Sequence, residues 1–260
     1  MFERFTAVIL ALVFMPCLSA AQSTEQAKPG APSHETIELI KATSAQATRM
    51  NELIVKANQA IEARDWRGVE DLTRKLIEED PQGWRYYQPL GNAQLKLGEY
   101  ADAIQTYDKA LELISKEAEP SSPERARERS AAEYVMLVSK GNCYLKLKKN
   151  DEAVAAYTKA AETSPNPALA YFNLCATQYN IGQVEGALGA CEKAINADPQ
   201  RADAYFIKAS LLFAIAPIAK DRHIVAPPGM VDALKKYLEL KPDGPHASDV
   251  KQMLEYVGGK

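Results

Sequence analysis

From about Ser33 onward, apolar residues recur at steps of three and four, with no sustained alternation of apolar and polar positions. That spacing gathers apolar side chains on one face of a helix and predicts an all-α chain. The pattern also repeats at a longer interval. Small residues at Ala57, Gly91, Gly141, Cys175 and Ala209 are spaced 34, 50, 34 and 34. A second series, Val69, Ala103, Ala153, Ala187 and Met230, is spaced 34, 50, 34 and 43. Pro81, Pro165, Pro199 and Pro242 fall 84, 34 and 43 apart. Three series sharing one set of offsets predict a repeated helical hairpin of 34 residues, interrupted by insertions of 16 and nine residues.

The clearest unit starts at Tyr134 and carries Gly141, Tyr144, Leu147, Ala153, Tyr157, Ala160 and Pro165. The unit from Trp84 carries Leu90, Gly91, Gly98, Tyr100, Ala103, Tyr107 and Ala110, and that from Ala168 carries Tyr171, Leu174, Ala187, Ala194 and Pro199. Weaker units start at Met50 (Ala57, Trp66, Val69, Leu76, Pro81) and near Ala202 (Tyr205, Ala209, Ile215, Tyr237, Pro242). These positions resemble the signature of the tetratricopeptide repeat family. The resemblance covers about residues 50–258. It implies a right-handed α-solenoid of about five repeats, at 50–83, 84–117, 134–167, 168–201 and 202–243, closed by a capping helix over 246–257.

The residue types suit such a stack. Two antiparallel helices approach closely where side chains are small, so Gly91 is expected to face Ala103, and Gly141 to face Ala153. Tyr107 and Tyr157 fill the wider gaps. The prolines stop each second helix, because proline lacks an N–H and clashes with the preceding turn. Pro89 is expected to bend its helix. Ser122 before Pro123 and Glu124 reads as a helix cap followed by a first-turn proline, predicting a long helix from about Pro123 to Leu147. Residues 34–49 extend the first helix or cap that end. The loop that contains the nine extra residues, PIAKDRHIVAPPG, is apolar for a loop and either folds back over the core or contacts a partner. His223 within it lacks partners at metal-ligand spacing.

The family's first helices line a concave groove that binds extended peptides or partner helices. Placing this sequence in that register puts Asn58, Arg85, Gln88, Asn92, Lys96, Asn142 and Lys146 at one end of the groove. Phe172, Asn173, Tyr179, Phe206, Ser210 and Phe213 stand at the other. Asn58, Asn92 and Asn142 occupy equivalent places, a ladder able to bond a peptide backbone. Tyr171 and Tyr205 take the core positions, which leaves Phe172, Phe206 and Phe213 to form an exposed apolar patch or to pack beneath the 216–228 loop. Chaperone-binding members grip a terminal carboxylate with lysines. Ile54, Val138 and Phe172 stand at the clamping-lysine places here, so that specialised function is not expected.

Composition narrows the function. Of 260 residues, 47% are apolar and 25% charged, as in ordinary folded proteins. The 31 basic and 34 acidic residues are interspersed, giving a net charge of −3, and no basic cluster suited to nucleic acid appears. There is no metal-ligand, nucleophile-elbow or phosphate-loop motif, so no enzyme chemistry and no cofactor are expected. Met1 to Ala21 reads as a secretory signal: Arg4, an apolar run from Phe5 to Met15, Pro16, then Ser19-Ala20-Ala21 before cleavage. An uncleaved anchor or a lipid-modified Cys17 are the alternatives, and residues 22–33 form a flexible tether. The mature chain is then periplasmic or secreted, with no membrane span. In an oxidising compartment Cys175 and Cys191, on the two helices of one repeat, either bridge or pack as small apolar residues, with Cys143 left free. The expected function is a non-catalytic scaffold that binds protein or peptide segments. The alternative is a subunit of an envelope assembly or secretion complex docked to membrane partners.

Overall fold

The computed structural model describes residues 34–219 and 224–258. The expected signal and tether, Cys17 and His223 lie outside the described residues. The described residues are helical apart from turns and one isolated antiparallel bridge, Ile218 to Ile224, in the nine-residue insertion. They divide into two compact units, up to Leu97 and from Gly98.

The first unit holds α1 (His34–Glu62), α2 (Trp66–Glu79) and α3 (Trp84–Leu97). Residues 34–49 extend α1, as one of the two expectations had it. Asp65 caps α2, its side chain accepting from the Gly68 N–H at 3.0 Å. Ile54, Leu76 and Tyr86 form the core, one from each helix, with Met50, Leu53 and Ile77 against them. Glu70 is buried, and its carboxylate accepts from Arg67 (2.6 Å) and Arg74 (2.7 Å), so its charge is not left unpaired. The α3 helix runs unbroken through Pro89.

The second unit holds α4 (Tyr100–Lys116), α5 (Pro123–Lys146), α6 (Asn150–Thr163), α7 (Ala168–Asn180), α8 (Val184–Ala197), α9 (Ala202–Ala214), α10 (Met230–Leu240) and α11 (Ala247–Gly258). Each packs on the next, and α7 also packs on α9. Ser122 caps α5 by accepting from the Arg125 N–H, with Pro123 in the first turn, so the 16-residue insertion is largely absorbed as extra helix. One apolar cluster joins α5 to α9 through Leu137, Tyr157, Leu174, Ala187 and Ile207. A second joins α9, α10 and α11 through Leu212, Leu234, Tyr237 and Val250.

The turns repeat as the helices do. Between first and second helices one residue takes a left-handed backbone: Arg64 (φ 57), Gly98 (φ 83), Lys148 (φ 59) and Gly182 (φ 76). Their spacing is again 34, 50 and 34. Two are glycine, which adopts this conformation without steric cost, and two are not. After α2 and α8 the chain passes through the same tripeptide, Asp80-Pro81-Gln82 and Asp198-Pro199-Gln200. Each aspartate accepts from the N–H two residues on, at 3.2 and 3.1 Å. Tyr87 and Tyr205 then donate to the proline carbonyls.

Candidate peptide-binding faces

Of the expected groove residues in the first unit, Asn58 is half-buried on α1. Arg85, Gln88 and Asn92 are half-buried on α3, and Lys96 is exposed near its end. The Arg85 guanidinium lies 4.4 Å from the ring of its neighbour Trp84, and the Lys96 ammonium 5.9 Å from the ring of Trp66.

In the second unit Asn142 and Lys146 are exposed on α5, and Tyr179 is 38% exposed on α7. The buried Tyr157 hydroxyl donates to the Asn142 amide oxygen at 2.7 Å. That bond fixes the amide on the surface of α5, with its NH2 available to an acceptor. Asn173 is half-buried, and its backbone carbonyl accepts from Thr177.

The rings need a correction. Phe206 and Phe213 do not form an open patch: among the described residues, both pack against the C-terminal segment. Phe206 is stacked on His246 at 3.8 Å between centroids and tilted against Tyr237 at 5.8 Å. Phe213 lies 6.3 Å from Tyr256. His246 immediately precedes α11 and Tyr256 is on it, so the segment leading into α11 packs on Phe206 and α11 itself lies beside Phe213, with Ala226 of the loop also in that cluster. Phe172 packs on the α5–α9 core with the Arg201 guanidinium 5.2 Å from its centroid, and Arg201 pairs with Asp198 at 3.0 Å. Ser210 is buried, its hydroxyl donating to the Phe206 carbonyl of its own helix. Phe206 and Ser210 are therefore structural residues. Arg201 was not singled out from sequence, because its role depends on α7 and α9 lying side by side.

Cys175 and Cys191 are bridged, with Cα atoms 5.0 Å apart, and tie α7 to α8. Cys143 is a free, buried thiol, pushed up to about 11 by burial. Burial also drives the hydroxyls of Tyr107 and Tyr157 well above the usual phenol range, with Cys143 adding to both. No group of metal-ligating side chains occurs among the described residues, and none of their helices is long and apolar enough to cross a membrane.

Two family models, both described as tetratricopeptide repeat, match residues 55–123 and 144–211, together more than half of the chain. The chain belongs to the tetratricopeptide repeat family. Among curated proteins, Hsp70-Hsp90 organizing protein 3 of Arabidopsis thaliana is 29% identical, over 47% of this chain and 25% of that protein, so the match spans about a quarter of the relative. Among solved structures, YrrB, described as a TPR protein with an unusual peptide-binding site, is 20% identical with a TM-score of 0.57, covering 80% of this chain and 98% of that one. MamA of Desulfovibrio magneticus RS-1 is 18% identical with a TM-score of 0.57, covering 77% and 97%. At these identities the likeness is one of fold: stacked helical hairpins. Proteins of the tetratricopeptide repeat family serve generally as interaction modules.

Proposed function

We propose that the chain is a non-catalytic scaffold that holds peptide or protein segments against its first helices. The observation that carries the reading is the Asn142 amide, exposed on α5 and oriented by a buried tyrosine hydroxyl. An oriented amide that keeps its NH2 group for a ligand suits a peptide carbonyl. Asn58 and Asn92 stand at the equivalent places in the first unit. The repeat relatives support the same use. The organizing protein's name and the YrrB peptide site concern those proteins, and here they support the class of partner only.

The test is to pan a random display library of short peptides on the immobilised whole chain and measure the enriched peptides by fluorescence anisotropy. Asn142→Ala is expected to weaken them about fivefold, the worth of one hydrogen bond of about 1 kcal/mol. Failure to enrich any peptide overturns the reading.

We further propose export across a membrane. The disulfide supports it, since such bonds persist in oxidising compartments, and so does the sequence from Met1 to Ala21. Mass spectrometry of the protein from its native host should then find Gln22 as the first residue and Cys175 and Cys191 oxidised; an intact Met1 together with two free thiols at Cys175 and Cys191 refutes export.

A further inference from the structure

From Leu211 to Val231, across the join between α9 and α10, no described residue carries a polar side chain. Such a run is ordinarily buried, and Leu211 and Leu212 at its start are. The loop that follows is not. Ile215 is 51% exposed, Val225 44% and Ile218 72%, and Pro217 and Pro228 are exposed as well. Ile218 is the most exposed large apolar side chain among the described residues. A side chain so uncovered projects from the surface, with no groove around it. The antiparallel bridge between Ile218 and Ile224 holds the two arms of the loop together, so these residues form one apolar patch, and such patches mark contact.

Two features indicate what the contact is with. The backbone of the loop has few donors left to take out of water. Pro217, Pro227 and Pro228 have no N–H, and the N–H groups of Ile215, Ala216, Val225 and Met230 donate to the carbonyls of Leu211, Phe213, Pro217 and Pro227. More than half of the twelve described residues from Ile215 to Met230 therefore keep no free donor. Unsatisfied backbone groups are what keep irregular chain out of lipid. The exposed side chains are also aliphatic. Anchors of protein–protein contacts are mainly Trp, Tyr and Arg seated in pockets, and none of the described loop residues is one of these. Hydrocarbon accepts Ile, Val and Pro without a complementary shape. Lys220 to His223, which complete the loop in sequence, bring two cations and one anion, so the loop is not repelled by an anionic surface.

We propose that the α9–α10 loop enters the boundary of a lipid bilayer, with Ile215, Ile218 and Val225 among the acyl chains, and so lays this end of the chain against a membrane surface. The contact is reversible. No described helix crosses a membrane, and lasting attachment takes more than one apolar signal. The loop lies outside the first helices and makes no use of Asn142, so this inference stands or falls apart from the scaffold reading.

The test is flotation of the whole chain with vesicles of mixed phosphatidylcholine and phosphatidylglycerol. The chain should float, and Ile215→Ser with Ile218→Ser should weaken its partitioning at least about tenfold while helical circular dichroism is unchanged. Ile218→Trp reads the loop directly, against the background of Trp66 and Trp84 in the parent. The added indole should shift its emission to the blue on vesicles and be quenched by lipids brominated in their acyl chains. That second reading decides where the serine variant loses helicity, or where Met1 to Ala21 dominates the flotation. A chain that stays in solution overturns the proposal. So does flotation with the added indole neither shifted nor quenched, which places the contact elsewhere. Self-association in sedimentation that the serine substitutions abolish, without vesicle binding, would give the loop to a second copy and overturn it too.

Discussion

Gly141 offers the sharpest test of how the repeats are held. It is buried on α5, and a Cβ built there would lie 2.5 Å from the Tyr157 ring on α6. Ordinary carbon contacts need about 3.5 Å or more, so the ring would have to retreat by about 1 Å. It has nowhere to go. Tyr157 is fully buried in the cluster with Ala153, Ala160 and Leu174, and its hydroxyl is tied to Asn142. Gly141→Ala should therefore cost about 1–3 kcal/mol in overpacking. The alanine gains about 1 kcal/mol in helix propensity, which leaves a net loss of up to about 2 kcal/mol. The check is urea unfolding of Gly141→Ala, Tyr157→Leu and the double variant. In the leucine background the clash is relieved and only the propensity gain remains, so the alanine should become neutral or stabilising. Equal cost of Gly141→Ala in both backgrounds would refute the reasoning, because the ring contact would then not be its cause.

Other outcomes follow from the same geometry. Lys148→Gly and Arg64→Gly should each raise stability by up to about 1 kcal/mol in urea unfolding, because left-handed backbone costs a side chain about 1–2 kcal/mol and glycine gives back part of that in chain entropy. Loss of the disulfide, whose partners are separated by 16 residues, should lower stability by about 3 kcal/mol, seen as a fall in melting temperature for Cys175→Ala with Cys191→Ala. Tyr107 and Tyr157 keep their protons in the fold above the pH at which an unfolded tyrosine loses its own, so their contribution is whole below about pH 10 and drains away as pH rises through their raised values; a pH series of melting curves should fall only beyond that point. Phe206→Ser should lower the melting temperature markedly, because the ring is stacked beneath the segment leading into α11.

The repeat was readable because its markers act locally. Pro81, Pro165, Pro199 and Pro242 each follow a helix that ends two residues earlier, as the missing N–H requires. Ser122 and Pro123 announced the start of α5 for the same reason. The candidate faces were harder. For Phe206 and Phe213 the sequence left open an exposed patch or cover by the 216–228 loop, and nothing within α9 says where a helix some 40 residues away will lie. Lys148 and Arg64 gave no turn signal because they are not glycine. Only their register with Gly98 and Gly182 exposes the shared conformation.

That register also explains the disulfide. Cys175 stands 34 residues after Gly141, and Cys191 stands 34 after Tyr157, so the bridged pair occupies the places of the glycine and the ring that presses on it. One hairpin keeps its two helices close by removing a side chain from the first and filling the space with a tyrosine from the second. The next hairpin fills the same space with two sulfurs and joins them, and the Cα atoms at 5.0 Å show how near the backbones already stand. The bond adds chain constraint to an approach the repeat makes anyway. It follows that Gly141→Cys with Tyr157→Cys should oxidise to a bridge between α5 and α6, with a loss of free thiol titre under denaturing conditions. Failure to bridge would mean that the two hairpins do not share one geometry.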